Sequence, residues 1–120
     1  VGIQNDRYFG LVMTIAGGGT LVELMADSAT VLLPAQPQDL ANALSTLKVM
    51  KLLSGYRGRA RADLDELVQT LMKISAMVLA LADTLIDMDI NPLWVTEHGC
   101  IAVDALIRLG DIDALPAHLR

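Results

Sequence analysis

The run Asp87-Met88-Asp89-Ile90-Asn91-Pro92-Leu93-Trp94-Val95, followed by Cys100-Ile101-Ala102-Val103-Asp104-Ala105-Leu106-Ile107, constrains the fold of this chain more than any other feature. Both stretches are apolar and read as β-strands, with Glu97-His98-Gly99 as the turn between them, so together they form a hairpin. Side chains alternate faces along a strand, which points Asp87, Asp89 and Asn91 the same way. If the turn is tight, Asp104 falls about opposite Asn91 and shares that face. Burying a carboxylate without a partner is costly. Three acids and an amide on one face of an apolar hairpin therefore call for a cation, alone or held by phosphates. Mg²⁺ takes oxygen ligands, commonly one or two carboxylates completed by substrate phosphates. The competing reading is a solvated polar face on an edge hairpin, and simple solvation is the alternative for Asp87 in particular.

The remainder of the chain supplies a sheet and its cover. Residues 1–4 and 8–16 are strand candidates joined by the turn-prone Asn5-Asp6-Arg7. Gly17-Gly18-Gly19 follows, then strands over 20–25 and 29–33 with Asp27-Ser28 as their turn. Pro37 suits the first position of a helix. Leu40, Leu44, Leu47 and Met50 then recur at helical spacing, with Gly55 as the stop. A polar connector spans 56–62. Asp63, with Glu66 three residues on, has the pattern of a capping box. Leu64, Leu67, Val68, Leu71, Ile74, Val78 and Leu81 make one apolar face of a helix running to about residue 82. Strands, helices and a final hairpin indicate an α+β fold: an antiparallel sheet with helices packed on one face. Residues 1–109 read as one unit and residues 110–120 as a tail or linker.

Composition narrows the partners. A length of 120 residues is enough for one domain with its own core. The net charge of −5 disfavours nucleic acid, which selects a basic stripe; Arg57, Arg59 and Arg61 are too few to reverse that. A single Cys excludes an internal disulfide and fits a reducing, cytoplasmic setting. Cys100 reads as packing. The longest apolar stretch, residues 74–82, falls far short of the roughly 20 residues of a membrane span. No stretch reads as a signal peptide. The hydrophobic fraction of 53% is high for a domain this short, and the chain starts without Met. The expectation is a piece of a longer protein, some of whose apolar surface faces the rest.

Four smaller features carry chemistry. Glu23, the lone acid in Leu21-Val22-Glu23-Leu24-Met25, either lines a site near phosphates or faces outward from a strand. Gly17, Gly18 and Gly19 either let backbone N–H groups approach phosphate or form an ordinary tight turn. They are not a P-loop, since no Lys-Ser or Lys-Thr follows. Arg57, between Tyr56 and Gly58, has the guanidinium that suits phosphate; a solvated arginine is the alternative. His98 and His118 have no Ser, Cys or Asp placed to make a triad.

The ordered set of motifs resembles one family. "DINPL", a short loop and "AVDALI" look like the metal-binding hairpin that closes the ATP-grasp domain of NDP-forming acyl-CoA synthetases, and the β chain of succinyl-CoA synthetase has a related hairpin. Tyr8-Phe9-Gly10-Leu11-Val12-Met13, Gly17-Gly18-Gly19 and Leu21-Val22-Glu23-Leu24 are similar to the family's strand, glycine loop and following strand. Lys51-Leu52-Leu53-Ser54-Gly55-Tyr56-Arg57-Gly58 is similar to its connector. The family usually has Pro where Leu11 stands, and a less uniform glycine loop. The resemblance implies the second lobe of an ATP-grasp domain, an acid–CoA ligase in the complete protein, and Mg²⁺ with ATP or ADP as cofactors. It implies metal contact by Asn91 and Asp104, with Asp89 beside them. It also implies as partners the other lobe, a CoA-binding domain and an oligomeric assembly. A phosphohistidine belongs to the family's mechanism, but neither histidine here lies in a matching motif, so no residue of this chain is assigned as catalytic. Two other readings stand beside it. One is a regulatory synthetase-like region fused to an acetyltransferase (GNAT) domain; the other is a non-enzymatic ligand-binding or assembly module.

Overall fold

The structure, a computed structural model, describes residues 1–18, 26–58 and 60–119. The strand expected over 20–25 lies outside the described residues. Strands β1 (Gly2–Asp6), β2 (Gly10–Ala16) and β3 (Ser28–Leu32) precede helices α1 (Pro37–Ser45), α2 (Met50–Leu53) and α3 (Leu64–Ala80). Then come β4 (Leu85–Ile90), β5 (Leu93–Thr96), β6 (Gly99–Ala102) and β7 (Ala105–Leu109). Two 3-10 turns, Ile112–Ala114 and Ala117–Leu119, make up the tail. Five strands form one antiparallel sheet in the order β3-β2-β1-β4-β7, and β5 pairs with β6 separately. The α+β class with helices on one sheet face is the one expected.

Period-two burial decides which face is covered. Ile3 pairs with Met13 on one side and Met88 on the other, and all three are buried. Leu11, Ile15 and Ile90 extend that face. Leu40 and Leu44 of α1, with Leu67, Leu71, Ile74 and Val78 of α3, pack onto it as one core. Leu85 and Met88 are both buried although three positions apart, which strict alternation forbids. A register shift between Leu85 and Asp87 in the pairing with β7 leaves Ile86 as an extra residue, so that Leu85 and Met88 both face inward. The Asn5 side chain donates to the carbonyls of Ala82 and Leu85 at 2.8 and 3.0 Å, tying β1 to the α3–β4 connection.

Three expectations need correction. The first turn falls at residues 7–9 rather than at Asn5-Asp6-Arg7, because Asp6 Oδ1 accepts the N–H groups of Tyr8 and Phe9; β2 accordingly starts at Gly10. The single helix expected from Pro37 to Gly55 is two, α1 and α2. The amides of Lys48 and Val49, which would continue the ladder, are instead taken by the Asp27 carboxylate at 2.7 and 2.9 Å. The hairpin strands are also broken, at Asn91-Pro92 (a cis peptide) and at Val103-Asp104. Pro92 has no N–H to give the ladder. The register nevertheless continues: Asn91 N–H donates to the Asp104 carbonyl (3.1 Å) and Val103 N–H to the Pro92 carbonyl (3.0 Å). Asp104 thus stands opposite Asn91, as the tight turn requires.

Half of the capping box read from sequence forms at α3: Asp63 accepts the Glu66 N–H at 2.9 Å, while its own N–H goes to the Thr96 carbonyl at 2.9 Å instead of the Glu66 side chain. Asp63→Ala is expected to lower unfolding free energy by about 1 kcal/mol. Leu71→Ala, at a site with 0% exposure, should lower it by about 2–5 kcal/mol. Urea denaturation of the two variants checks the order; equal losses would mean that α3 is held by its cap and not by the core.

Candidate functional site

At one end of the sheet β2 runs out into Gly17 and Gly18, Val1 leads into β1 and β4 ends at Ile90. A cavity of about 710 Å³ opens there, walled by Gly17, Gly18, Val49, Leu53, Asn91 and Trp94 among others. This volume is typical of small-molecule sites. Two sequence candidates far apart in the chain, the glycine loop and the Asn-Pro bend, therefore line the same space. A Cβ placed on Gly18 would meet nothing within 4 Å, so the approach to its backbone is open among the described residues. Gly17 differs, because its N–H is already given to the Asp27 carbonyl at 3.1 Å.

The polar residues of the hairpin separate into two kinds. Asp87 is paired rather than merely solvated: Arg108, opposite it on β7, donates Nε at 2.8 Å and a second bond from Nη2. These bonds outweigh partial desolvation and hold the Asp87 carboxyl below the ordinary carboxylate value. Asp89, Asn91 and Asp104 are exposed. Asp89 lies near the Val1 amino group, whose proton affinity it raises against the stronger effect of burial. The Asn91 and Asp104 side chains make no hydrogen bond or ion pair with the described residues. Among the described residues no three His, Cys, Asp or Glu side chains meet to hold a metal. What remains is an oxygen-only set, an amide and carboxylates, few in number and open to solvent. It fits Mg²⁺ completed by phosphates and does not fit a softer metal in an all-protein cage.

One residue of the site has no local sequence signal. Asp27, expected only as part of a turn, is buried, with both carboxylate oxygens on the Lys48 and Val49 amides. Its partners lie 21 and 22 residues further on, beyond any short-range pattern. Arg108, by contrast, was within reach, since continuing the Asn91–Asp104 register along the hairpin puts it opposite Asp87.

A family model described as an ATP-grasp domain matches residues 1–109. The chain belongs to the ATP-grasp family. Over 111 residues it is 34% identical to an ADP-forming acetate–CoA ligase II of Archaeoglobus fulgidus, covering 92% of this chain and 16% of that protein. It is 32% identical to the β subunit of the ADP-forming acetate–CoA ligase II of Pyrococcus furiosus, covering 91% of this chain and 47% of that subunit. Among solved structures, a dinucleotide-forming acetyl-coenzyme A synthetase of Ca. Korarchaeum cryptofilum, in complex with coenzyme A and Mg-AMPPCP, superposes with a TM-score of 0.83 at 30% identity. That match covers 90% of this chain and 50% of the other. The chain thus spans half or less of each of these proteins.

Other residues of the ATP-grasp chain are placed as follows. Gly19 and Glu23 lie outside the described residues. Arg57 is exposed, in left-handed backbone (φ 54°, ψ 44°), with its guanidinium 5.3 Å from the centre of the Tyr56 ring. It is not part of the cavity wall. His98, in the hairpin turn, pairs with Glu97 at 3.3 Å, and His118 is in the last 3-10 turn. Cys100 is half-buried on β6, and burial, more than the opposing Thr70 hydrogen bond, pushes its thiol up. No described helix is long and apolar enough to cross a membrane.

Two expected outcomes follow from these shifts. Because the thiolate is the reactive form, Cys100 should alkylate with iodoacetamide more slowly than a free thiol at neutral pH, the gap narrowing as pH rises. Equal rates near pH 7 would contradict its burial. The depressed Asp87 value makes the Arg108 pair a source of stability above the ordinary carboxylate pKa of 3.8, lost as pH falls through the lower folded value. Asp87→Asn should therefore melt lower than the parent at pH 7 and alike once both are well below that range. A gap that persists in acid would assign the loss to something other than the ion pair.

Proposed function

We propose that this chain is the second lobe of an ATP-grasp domain in an NDP-forming acyl-CoA synthetase, where it holds the Mg-nucleotide phosphates during phosphoryl transfer. The complete reaction is acyl-CoA, NDP and phosphate to free acid, CoA and NTP, in either direction. The observation that carries the reading is the shared cavity of Gly18 and Asn91, with Asp104 fixed across the hairpin by the Asn91 N–H. The ligase names of the relatives support it over a regulatory acetyltransferase fusion or a non-enzymatic module.

Within it, Asn91 contributes its amide oxygen and Asp104 its carboxylate to the metal, with Asp89 beside them. Bound Mg²⁺ supplies positive charge that offsets the phosphate charge developing during transfer. The N–H of Gly18, given to no described residue, faces a phosphate; Gly19 and Glu23 are taken as phosphate contacts from the sequence alone, and Arg57 offers a guanidinium to phosphate from the connector. Gly17 acts differently, since its committed N–H anchors the loop. The partners are the other ATP-grasp lobe and a CoA-binding domain of an oligomeric, cytoplasmic enzyme, and without them this lobe does not turn over.

The test is Mg-ATP-dependent acyl-CoA formation by the full-length protein, beside folded Asn91→Ala and Asp104→Ala variants. The expected loss is roughly hundredfold in each, at or above what removing a metal's outer-shell support does. An active protein indifferent to both changes would remove the metal assignment. An inactive parent would shift the reading to the regulatory fusion.

A further inference from the structure

Asp27 is an acid with 7% exposure and no charged partner among the described residues. Its carboxylate takes the N–H groups of Lys48 (2.7 Å) and Val49 (2.9 Å), one per oxygen. Its main-chain carbonyl takes the N–H of Gly17 (3.1 Å). Gly17 and Val49 are both walls of the cavity, one from the sheet end and one from the corner between α1 and α2. A single residue therefore ties one wall to the other. The backbone bends sharply beside it: Ala26 sits at φ 51°, a left-handed conformation that an alanine adopts only when its surroundings require it. A buried carboxylate is tolerated when hydrogen-bond donors replace its water, as these two amides do. If its task were only to end α1, a short polar side chain on that helix would serve. The residue comes instead from the strand side, which couples the corner to the glycine loop.

We infer that Asp27 is a positioning residue, which sets the separation of Gly17–Gly18 from the α1–α2 corner and so holds the cavity at the width its ligand needs. The nucleotide part of this inference rests on the proposed ATP-grasp synthetase function, but the coupling of the two walls does not. Asp27→Asn keeps the shape and one acceptor oxygen, while its NH₂ opposes one of the two amides. Asp27→Ser keeps one shorter acceptor and serves if Asn is not tolerated.

The experiment uses the full-length protein, its fold checked by thermal melting, with two readouts. Amide hydrogen exchange is followed at Gly17, Lys48 and Val49, and MgADP binding by calorimetry. Faster exchange at Lys48 and Val49 is expected from the lost bond alone. The deciding signal is faster exchange at Gly17, whose own acceptor is main chain and is untouched by the substitution. With it, the MgADP Kd is expected to rise roughly tenfold, the consequence of losing one charge-assisted bond that holds the site's shape. Gly17 exchange and MgADP affinity both unchanged would overturn the inference and leave Asp27 a local cap. Altered Gly17 exchange with unchanged affinity would overturn the claim on ligand width. Should the unmodified protein bind no MgADP, the synthetase reading fails, and Gly17 exchange alone decides whether Asp27 couples the walls.

Discussion

Two hydrogen bonds cross the hairpin where both its strands break, from Asn91 N–H to the Asp104 carbonyl and from Val103 N–H to the Pro92 carbonyl. They carry one register from the five-stranded sheet into the separate β5–β6 ribbon, with Ile90 opposite Ala105 on one side of the break and Leu93 opposite Ala102 on the other. A slip of one residue would move every side chain of a strand to the other face. Ile90 and Met88 would leave the core, and Asn91 would no longer face Asp104. The burial of Met88 and Ile90 against α1 and α3 and the placement of the hairpin's polar residues are therefore one constraint. The hydrophobic core enforces the placement of those polar residues.

Among the described residues the same sheet is covered on one face only, and its β7 edge is bare. All five residues of β7 are exposed, as are Trp94 and its cross-strand partner Ile101. The high apolar content of the chain is visible here as surface rather than as extra core. Arg108 gives this edge its polar character, since its bidentate hold on Asp87 joins β7 to β4 through side chains as well as backbone. Being half exposed, the pair is partly screened by solvent, and its contribution to stability is correspondingly modest.

Local patterns were legible where the deciding contacts are close in sequence. The α3 cap and apolar face, Pro37 at a helix start and the placement of Asp104 opposite Asn91 all follow from spacings of a few residues or from one turn. The Asp87–Arg108 pair was also derivable, because a hairpin register determines every later pairing until a bulge intervenes. The split of α1 from α2 was not. Leu40, Leu44, Leu47 and Met50 keep helical spacing through the break, and the three leucines are buried and Met50 half-buried regardless. What interrupts the helix is a carboxylate arriving from the strand side of the sheet.

By itself, then, the amino-acid order determined the α+β class, the hairpin register and which oxygen-bearing side chains the hairpin carries, because periodicity and turn chemistry act within a few residues. Only the tertiary structure decided that the glycine loop and the Asn-Pro bend share a cavity, that Asp87 is neutralised while Asp104 stays open, and that Asp27 braces two walls. Those outcomes depend on which elements the core packs side by side. Once Ile3, Met13 and Met88 are buried together under Leu71, the ends of β1, β2 and β4 have to meet at one edge of the sheet, and the residues just beyond them become neighbours.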